Sequence, residues 1–335
     1  MKQLTLAQAG VQTMMYAGEV PWHGLGQKVE GLQTSKEAIV KAGLDWQVQK
    51  HANEYTIKEG RAKVRMVGKG FQVIRMDNKE SLGNVGTRWT PHQNREAFAL
   101  MDEVIGRKAA VYETAGALGR GEKIWLLAKV KGLITIGGED VVEKYLLAAN
   151  AHDGTKSFKL AVTTIRPVCG NTLHLALKEA DGAEQVFSIR HTSKLEDKVQ
   201  KIVDYLQIAS KKFEDFKDAA QAMTKVKMNT KKFNEFLGLL GFDPEAEGGK
   251  KESIITDLRD AFESAPGSQL ETAKGTLWGA LNAVTYYTTH KRTTRQTKSS
   301  GFKSENEARL NSSWFGSGND LNQKALAVAT QMVEA

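Results

Sequence analysis

The spacing of apolar residues changes once along this chain, near residue 195. Before it, apolar positions alternate with polar ones in short runs closed by glycine, the signature of half-buried strands. After it they recur every three or four residues, as on one face of a helix. In the first part, "SKEAIVKAGLDWQV" predicts a short helix capped at Ser35 and stopped at Gly43, then a strand. "AKVRMVGKGFQVIRM" predicts a hairpin that turns at Gly68-Lys69-Gly70. "LGNVGTRWT" is another short strand, and "NREAFALMDEVIG" spaces Phe98, Met101 and Ile105 as a helix ending at Gly106. "AAVYETAGAL" and "EKIWLLAKV" flank a Gly119-Arg120-Gly121 turn as a second hairpin. "LITIGG", "YLLAANA" and "FKLAVTTIRPV" follow as strands, the last closed by Pro167.

From Leu195, "KLEDKVQKIVDYLQIASKKFEDFKDAAQAMTKV" places Val199, Val203, Leu206 and Phe213 on one helical stripe. "TKKFNEFLGLLG", "ESIITDLRDAFES", "TLWGALNAVTYYTTH" and "DLNQKALAVATQMV" continue the helical pattern, with residues 244–252 as the clearest loop. The predicted fold class is therefore α+β: an N-terminal antiparallel sheet with packed helices over residues 1–195, then a mainly helical region over 196–335.

Composition narrows the function classes. The chain has 335 residues, 41% hydrophobic and 26% charged, the balance of a globular protein. No apolar run approaches the ~20 residues of a membrane span, and no signal segment opens the chain, so no membrane partner is expected. One cysteine excludes an internal disulfide framework and points to the cytoplasm. The seven histidines, at 23, 51, 92, 152, 174, 191 and 290, form no His-x-x-x-His pair and are read as separate turn or surface residues. No metal site and no cofactor are expected. "GALGRGEKIW" and "HGLGQKVEG" lack the Lys-Ser/Thr ending of a phosphate-binding loop, which removes Walker-type ATP hydrolysis.

Charge adds a positive lead. The net charge is +8, and residues 1–195 hold 27 Lys and Arg against 20 Asp and Glu. Lys58 to Lys79 alone carries seven cations against two acids. On the predicted hairpins Lys63, Arg65, Lys69, Arg75, Arg120 and Lys123 form a candidate nucleic-acid surface, with Phe71, Trp89 and Trp125 nearby. Trp125, inside "IWLLA", suits the core better. The acid-free run from His290 to Lys303, with Lys291 and Arg292, is a second candidate backbone contact.

One stretch carries reactive residue types. "HDGTKSFKLAVTTIRPVCGNTLHLAL", residues 152–177, holds the only cysteine. A helix capped by Asn171 or Thr172 would set Cys169 at its N-terminus and His174 in its first turn, with His152 and Asp153 before the strand. The alternative to a binding protein is thus an enzyme of unknown reaction centred on Cys169, His174, His152 and Asp153. A packed core cysteine explains the same residue more simply. The enzyme assignment stays open, leaning to none.

Several phrases occur together in a specific order: "MYAGEVPWHGLGQKV", "AGLDWQV", "LGNVGTRWTPHQNREAF", "ETAGALGRGEKIWLLAKV", "NAHDGTKSFKLAVTTIRPVCGNTLHLAL", "IRHT" and "GTLWGALNAVTYYTTHKR". In them the chain resembles the phage/plasmid-like protein family, domain of unknown function 932. The resemblance implies a protein carried by mobile elements and transfers no catalytic role. A looser architectural similarity is to the β-β-β-α core of phage single-strand annealing proteins of the Redβ/RecT and Rad type. It implies ATP-independent binding or annealing of single-stranded DNA in recombination, assembly as a homo-oligomer, and a single-strand binding protein as a further partner. A third reading is an interaction protein that neutralises a host defence.

Overall fold

The computed structural model describes residues 14–17, 20–21, 24–30, 34–59, 62–105, 110–166, 171–175, 177–178, 184–185, 187–191, 199–294, 301–302 and 304–334. Two short strands come first, β1 (Met14–Ala17) and β2 (Gln27–Val29), paired in parallel. Helix α1 (Ser35–Lys41) follows, capped by Thr34 and not by Ser35. The Thr34 hydroxyl accepts from Glu37 N at 3.2 Å while the Glu37 carboxylate accepts from Thr34 N at 2.8 Å, a reciprocal capping box. Ser35 lies inside the helix, and its hydroxyl donates to Asp102.

Next comes a three-stranded antiparallel sheet, β3 (Val48–Glu59), β4 (Ala62–Arg75) and β5 (Ser81–Val85), in that order. The expected turn at Gly68-Lys69-Gly70 is absent. Strand β4 runs straight through it, and the glycines sit at a bulge where the β3 register shifts between Ala52 and Glu54. Glycine inside a strand pattern marks a bulge as readily as a turn. Helix α2 (Asn94–Ile105) packs against α1 and the main sheet.

That main sheet is built from β6 (Ala110–Leu118), β7 (Lys123–Ile136), β8 (Asp140–Ala151), β9 (Phe158–Arg166), β10 (Asn171–Leu175) and a late strand, with β1 and β2 at one edge. Leu177–Lys178 (β11) and Glu184–Gln185 (β12) form a small separate pair. Phe187–Ile189 (β13) is the late strand, sharing the outer edge of β9 with β10. "EKIWLLAKV" and "LITIGG", expected as two strands, belong to the single strand β7.

Both faces of the main sheet are covered, so β7 and β8 read as continuous apolar runs. Ile124, Leu126, Leu146, Ala148, Leu160 and Val162 face a large cluster with the helices, while Trp125, Leu127, Tyr145, Leu147 and Ala161 face a second cluster. The remaining helices are α3 (Val199–Lys225), α4 (Thr230–Leu240), α5 (Gly249–Ser264), α6 (Leu277–Tyr286), α7 (Glu305–Phe315) and α8 (Ser317–Glu334). A π-helical turn, Tyr287–Lys291, extends α6. Leu310 and Trp314 of α7 close the second cluster, and Trp125 meets Trp314 edge to face at 4.7 Å. Phe213, Leu237, Leu281 and Ala325 pack into the larger one.

The fold is α+β, with N-terminal sheets and a helical C-terminal region. The change at residue 195 is a change of element type, and the larger core includes residues from both sides of it. Polar bonds reinforce the join: Trp278 Nε1 donates to Asp140 Oδ2 at 2.8 Å, and Asn171 Nδ2 to Asn282 O at 3.0 Å. No helix among the described residues is long and apolar enough to cross a membrane.

Candidate functional site

The hairpin cations fall in different places. Lys63 and Arg65 are exposed near the far end of β4, and Arg65 pairs with Glu54 across the ribbon. Lys69 is exposed at the bulge. Arg75 lies at the other end of the same strand and is only 5% exposed. Its guanidinium donates to both Asp77 oxygens, at 2.8 and 2.9 Å, and to Arg120 O at 2.7 Å, while lying 4.4 Å over the Trp46 ring. Arg75 is a structural tie and leaves the list of phosphate contacts, because its donors are committed and it is out of solvent.

Ten residues of strand separate Arg65 from Arg75, about 30 Å at roughly 3.3 Å per residue. Arg120 touches Arg75, so Lys63 and Arg65 share no groove with the second hairpin. There, Arg120 is paired with Glu122 at 2.7 Å and Lys123 donates to Asn311 Oδ1 at 2.9 Å. On the C-terminal run Lys291 is exposed, while Arg292 donates to Ser317 O at 2.8 Å. Residues 295–300 and 303 of that run lie outside the described residues.

The described residues of the enzyme alternative are not gathered either. Cys169 lies outside the described residues. His174 is on strand β10, opposite Thr163, where a helix was expected. The run Asn171–Leu175 satisfies its backbone by pairing with β9. Thr163 in turn faces Tyr145 on β8, seven residues before His152. That spacing puts His174 more than about 20 Å from His152 and Asp153.

The structure instead converges three loops far apart in sequence: residues 86–92 after β5, 152–157 between β8 and β9, and 190–191 after β13. His92, His152 and His191, expected as scattered turn or surface residues, are 2%, 0% and 4% exposed and lie together. His92 stacks on His191 at 4.2 Å, and Trp89 stacks on the same imidazole at 4.8 Å. His191 Nδ1 donates to Thr90 O at 3.1 Å. His152 Nε2 bonds Asn94 Oδ1 at 2.7 Å, and Trp46 meets its ring edge-on at 5.3 Å. Burial, with like charge from His191, His92 and Arg75, pushes the His152 imidazole down to about 3. Burial and then His92 push His191 down to about 4. Both are neutral near pH 7 and serve as polar packing beneath the loops.

Trp89 and His191 of this cluster also line a cleft of about 480 Å³, together with Arg88, Lys156, Arg190 and the hydroxyl residues Thr87, Thr155 and Ser157. Loop 152–157 is tightly held. His152 N donates to Glu122 O at 2.7 Å, and Asp153 Oδ1 accepts from Thr155 N at 2.9 Å and Thr155 Oγ1 at 2.6 Å. Gly83 passes so close that a Cβ there would lie 2.6 Å from Asp153 Cα. Asp153 is thus a turn-forming residue.

A second cavity of about 110 Å³ shares Lys156 and Ser157 with the first. Lys123, Lys159 and Asp320 line it beside Trp314 and Phe315. Burial lowers the Lys123 amine, partly offset by Asp153, and burial also lowers Lys159. Across the two cavities stand Arg88, Arg190, Lys156, Lys123 and Lys159, a concave basic surface. Among these only Lys123 was picked from sequence. The available signal was that "TRWTPH", "HDGTKS" and "IRHT" each pair a histidine with a cation and each carries the family resemblance. Among the described residues no cluster of three or more His, Cys, Asp or Glu has metal-binding geometry.

The fold and this surface define an α+β protein with a basic double cavity beside a buried histidine cluster. The family model described as "Domain of unknown function (DUF932)" matches residues 81–314, well over half of the chain, and the chain belongs to that family. No curated protein and no solved structure matches it.

Proposed function

We propose that this protein binds single-stranded nucleic acid, without nucleotide hydrolysis, in the DNA recombination or annealing of a mobile element. The observation that supports this reading is the pair of adjoining cavities sharing Lys156 and Ser157, whose linings together hold five cations, Arg88, Arg190, Lys156, Lys123 and Lys159, and one acid, Asp320. The phosphates of a strand suit such a group of cations, because each Lys or Arg contact releases condensed counterions. The Thr87, Thr155 and Ser157 hydroxyls add neutral donors to the same path, and Trp89 lies at the cleft wall as a stacking surface. The order β3-β4-β5-α2 supports the reading only at the level of element order. In this proposal Lys63, Arg65 and Lys69 are peripheral contacts on the ribbon, and the protein acts as a homo-oligomer.

Fluorescence anisotropy with labelled single-stranded and duplex oligonucleotides across a salt series tests the proposal. Binding at low salt should favour the single strand, and log affinity should fall with log salt by about 0.7 per phosphate contact. No binding at low salt removes the reading. Equal binding to both forms would remove the single-strand assignment.

A further inference from the structure

The far half of the β3–β4 ribbon stands apart from the rest of the sheet, because β5 pairs with β4 only over residues 71–74 and 81–85. Strand β3 is the outer strand of the order β3-β4-β5. Its edge is closed at Val48, where Gln93 bonds both N and O, at 3.1 and 3.0 Å. Beyond Val48 no strand among the described residues covers that edge. The ribbon is also exposed on both faces. Directly opposed residues share a face, so Tyr55 with Met66 and Ile57 with Val64 make one apolar side. Tyr55, Ile57 and Met66 are 49%, 40% and 40% exposed. An uncovered two-stranded ribbon is marginal, and an apolar open edge invites another strand.

We infer that β3 pairs antiparallel with β3 of a second copy of this chain, about a two-fold axis at Thr56. That register sets Tyr55 opposite Ile57 of the second copy and Glu54 opposite its Lys58, each contact occurring twice. Apolar residues then meet on one face and opposite charges on the other. A slip by one residue mixes the faces, setting Glu54 against Ile57. A slip by two brings Tyr55 against itself and separates the ion pairs.

The charges within one ribbon point the same way. Lys58 lies directly opposite Lys63, a like-charge pair that disfavours the isolated ribbon. Glu54 of the second copy, already paired with Arg65 of its own ribbon, relieves it by standing beside Lys58 as well, so that each carboxylate lies between two cations. The joined ribbons form a four-stranded sheet with Tyr55, Ile57, Val64 and Met66 of each copy on one side, and Glu54, Lys58, Lys63, Arg65 and the exposed Val67 of each copy on the other. This assembly is independent of whether the basic cavities bind nucleic acid.

Sedimentation velocity of the full chain across a concentration series, without nucleic acid, tests the pairing. The wild type should dimerise reversibly. Glu54→Lys and Lys58→Glu should each weaken the dimer at least about tenfold, since each turns two attractions into repulsions. Mixing the two variants should restore a heterodimer, because both cross-strand pairs are then opposite in charge. Thr56→Cys should yield a disulfide-linked dimer on mild oxidation that the wild type does not, as axial residues approach within disulfide reach. Thermal melts should be nearly unchanged for the charge variants, whose side chains are exposed. A wild type that stays monomeric, or a dimer indifferent to both charge variants, overturns the inference. Failure of the mixture to associate also overturns it.

Discussion

His152 donates its Nε2 proton to Asn94 Oδ1 at 2.7 Å, joining the end of β8 to the first turn of α2 across 58 residues of sequence. Asn94 Nδ2 in turn donates to Leu44 O at 2.8 Å, which fixes the amide with its oxygen toward the imidazole. That bond places a proton on Nε2, and burial keeps the ring neutral near pH 7.

Acid should destabilise the protein through this cluster. His152 and His191 titrate in the fold at about 3 and about 4, against about 6.5 in the unfolded chain. Below about 6.5 the unfolded state binds protons that the folded state refuses, so their contribution is complete above that pH. It declines as pH falls toward 4, by about 1.4 kcal/mol per pH unit for each histidine. Thermal melts between pH 7.5 and 4.5 should show the decline. His152→Gln with His191→Gln should flatten it, and a double variant with the wild-type slope would sink the assignment.

Gly83 holds loop 152–157 by close approach. Gly83→Ala puts a Cβ 2.6 Å from Asp153 Cα and should cost about 1–3 kcal/mol while displacing the cleft rim. Gly86→Ala, with nothing within 4 Å of the added atom, is the neighbouring control and should be nearly neutral. Denaturant melts of the pair would separate packing from chance. Equal stability would show that the loop yields freely.

Arg75→Ala should destabilise by about 2–4 kcal/mol, because Asp77 and the Arg120 carbonyl lose a shared buried partner. Nucleic-acid affinity measured well below the melting temperature should hardly change. Arg75→Lys should rescue only part of the loss, since an ammonium cannot reproduce the forked contact with Asp77. Normal stability with lost affinity would return Arg75 to the binding surface.

Arg88→Ala and Lys156→Ala should each weaken single-strand binding and reduce the salt slope by about 0.7, with little change in melting. Lys63→Ala with Arg65→Ala should have a smaller effect, and Lys291→Ala none. Anisotropy at two salt concentrations ranks the variants. A larger loss from the ribbon pair than from the cleft pair would move the interface to the ribbon.

How much of this was readable in the sequence depends on the range of the cause. The helix starting near residue 35, the helix from Asn94 and the later helices other than Glu305–Phe315 are legible because burying one face imposes a period on consecutive residues, whereas the polar stretch around Glu305–Phe315 reads as a connection and is a helix. Trp125 could be assigned to the core from "IWLLA" for the same reason. The Gly68-Lys69-Gly70 segment misled because glycine permits a turn and a bulge alike, and only pairing with β3 selects between them. Asn171–Leu175 misled because a capping pattern was outweighed by the open edge of β9.

The α+β order, the basic N-terminal half and the family are carried by local pattern or by motif order. Tertiary structure alone decided which cations meet. Strand length carried Lys63 and Arg65 about 30 Å from Arg120, and burial withdrew Arg75. Strand pairing brought Arg88, Lys156 and Arg190 to one cleft, and gathered three histidines far apart along the chain into a buried cluster of which His191 lines that cleft. Such convergence depends on where each strand ends in a shared sheet, and no local period records it.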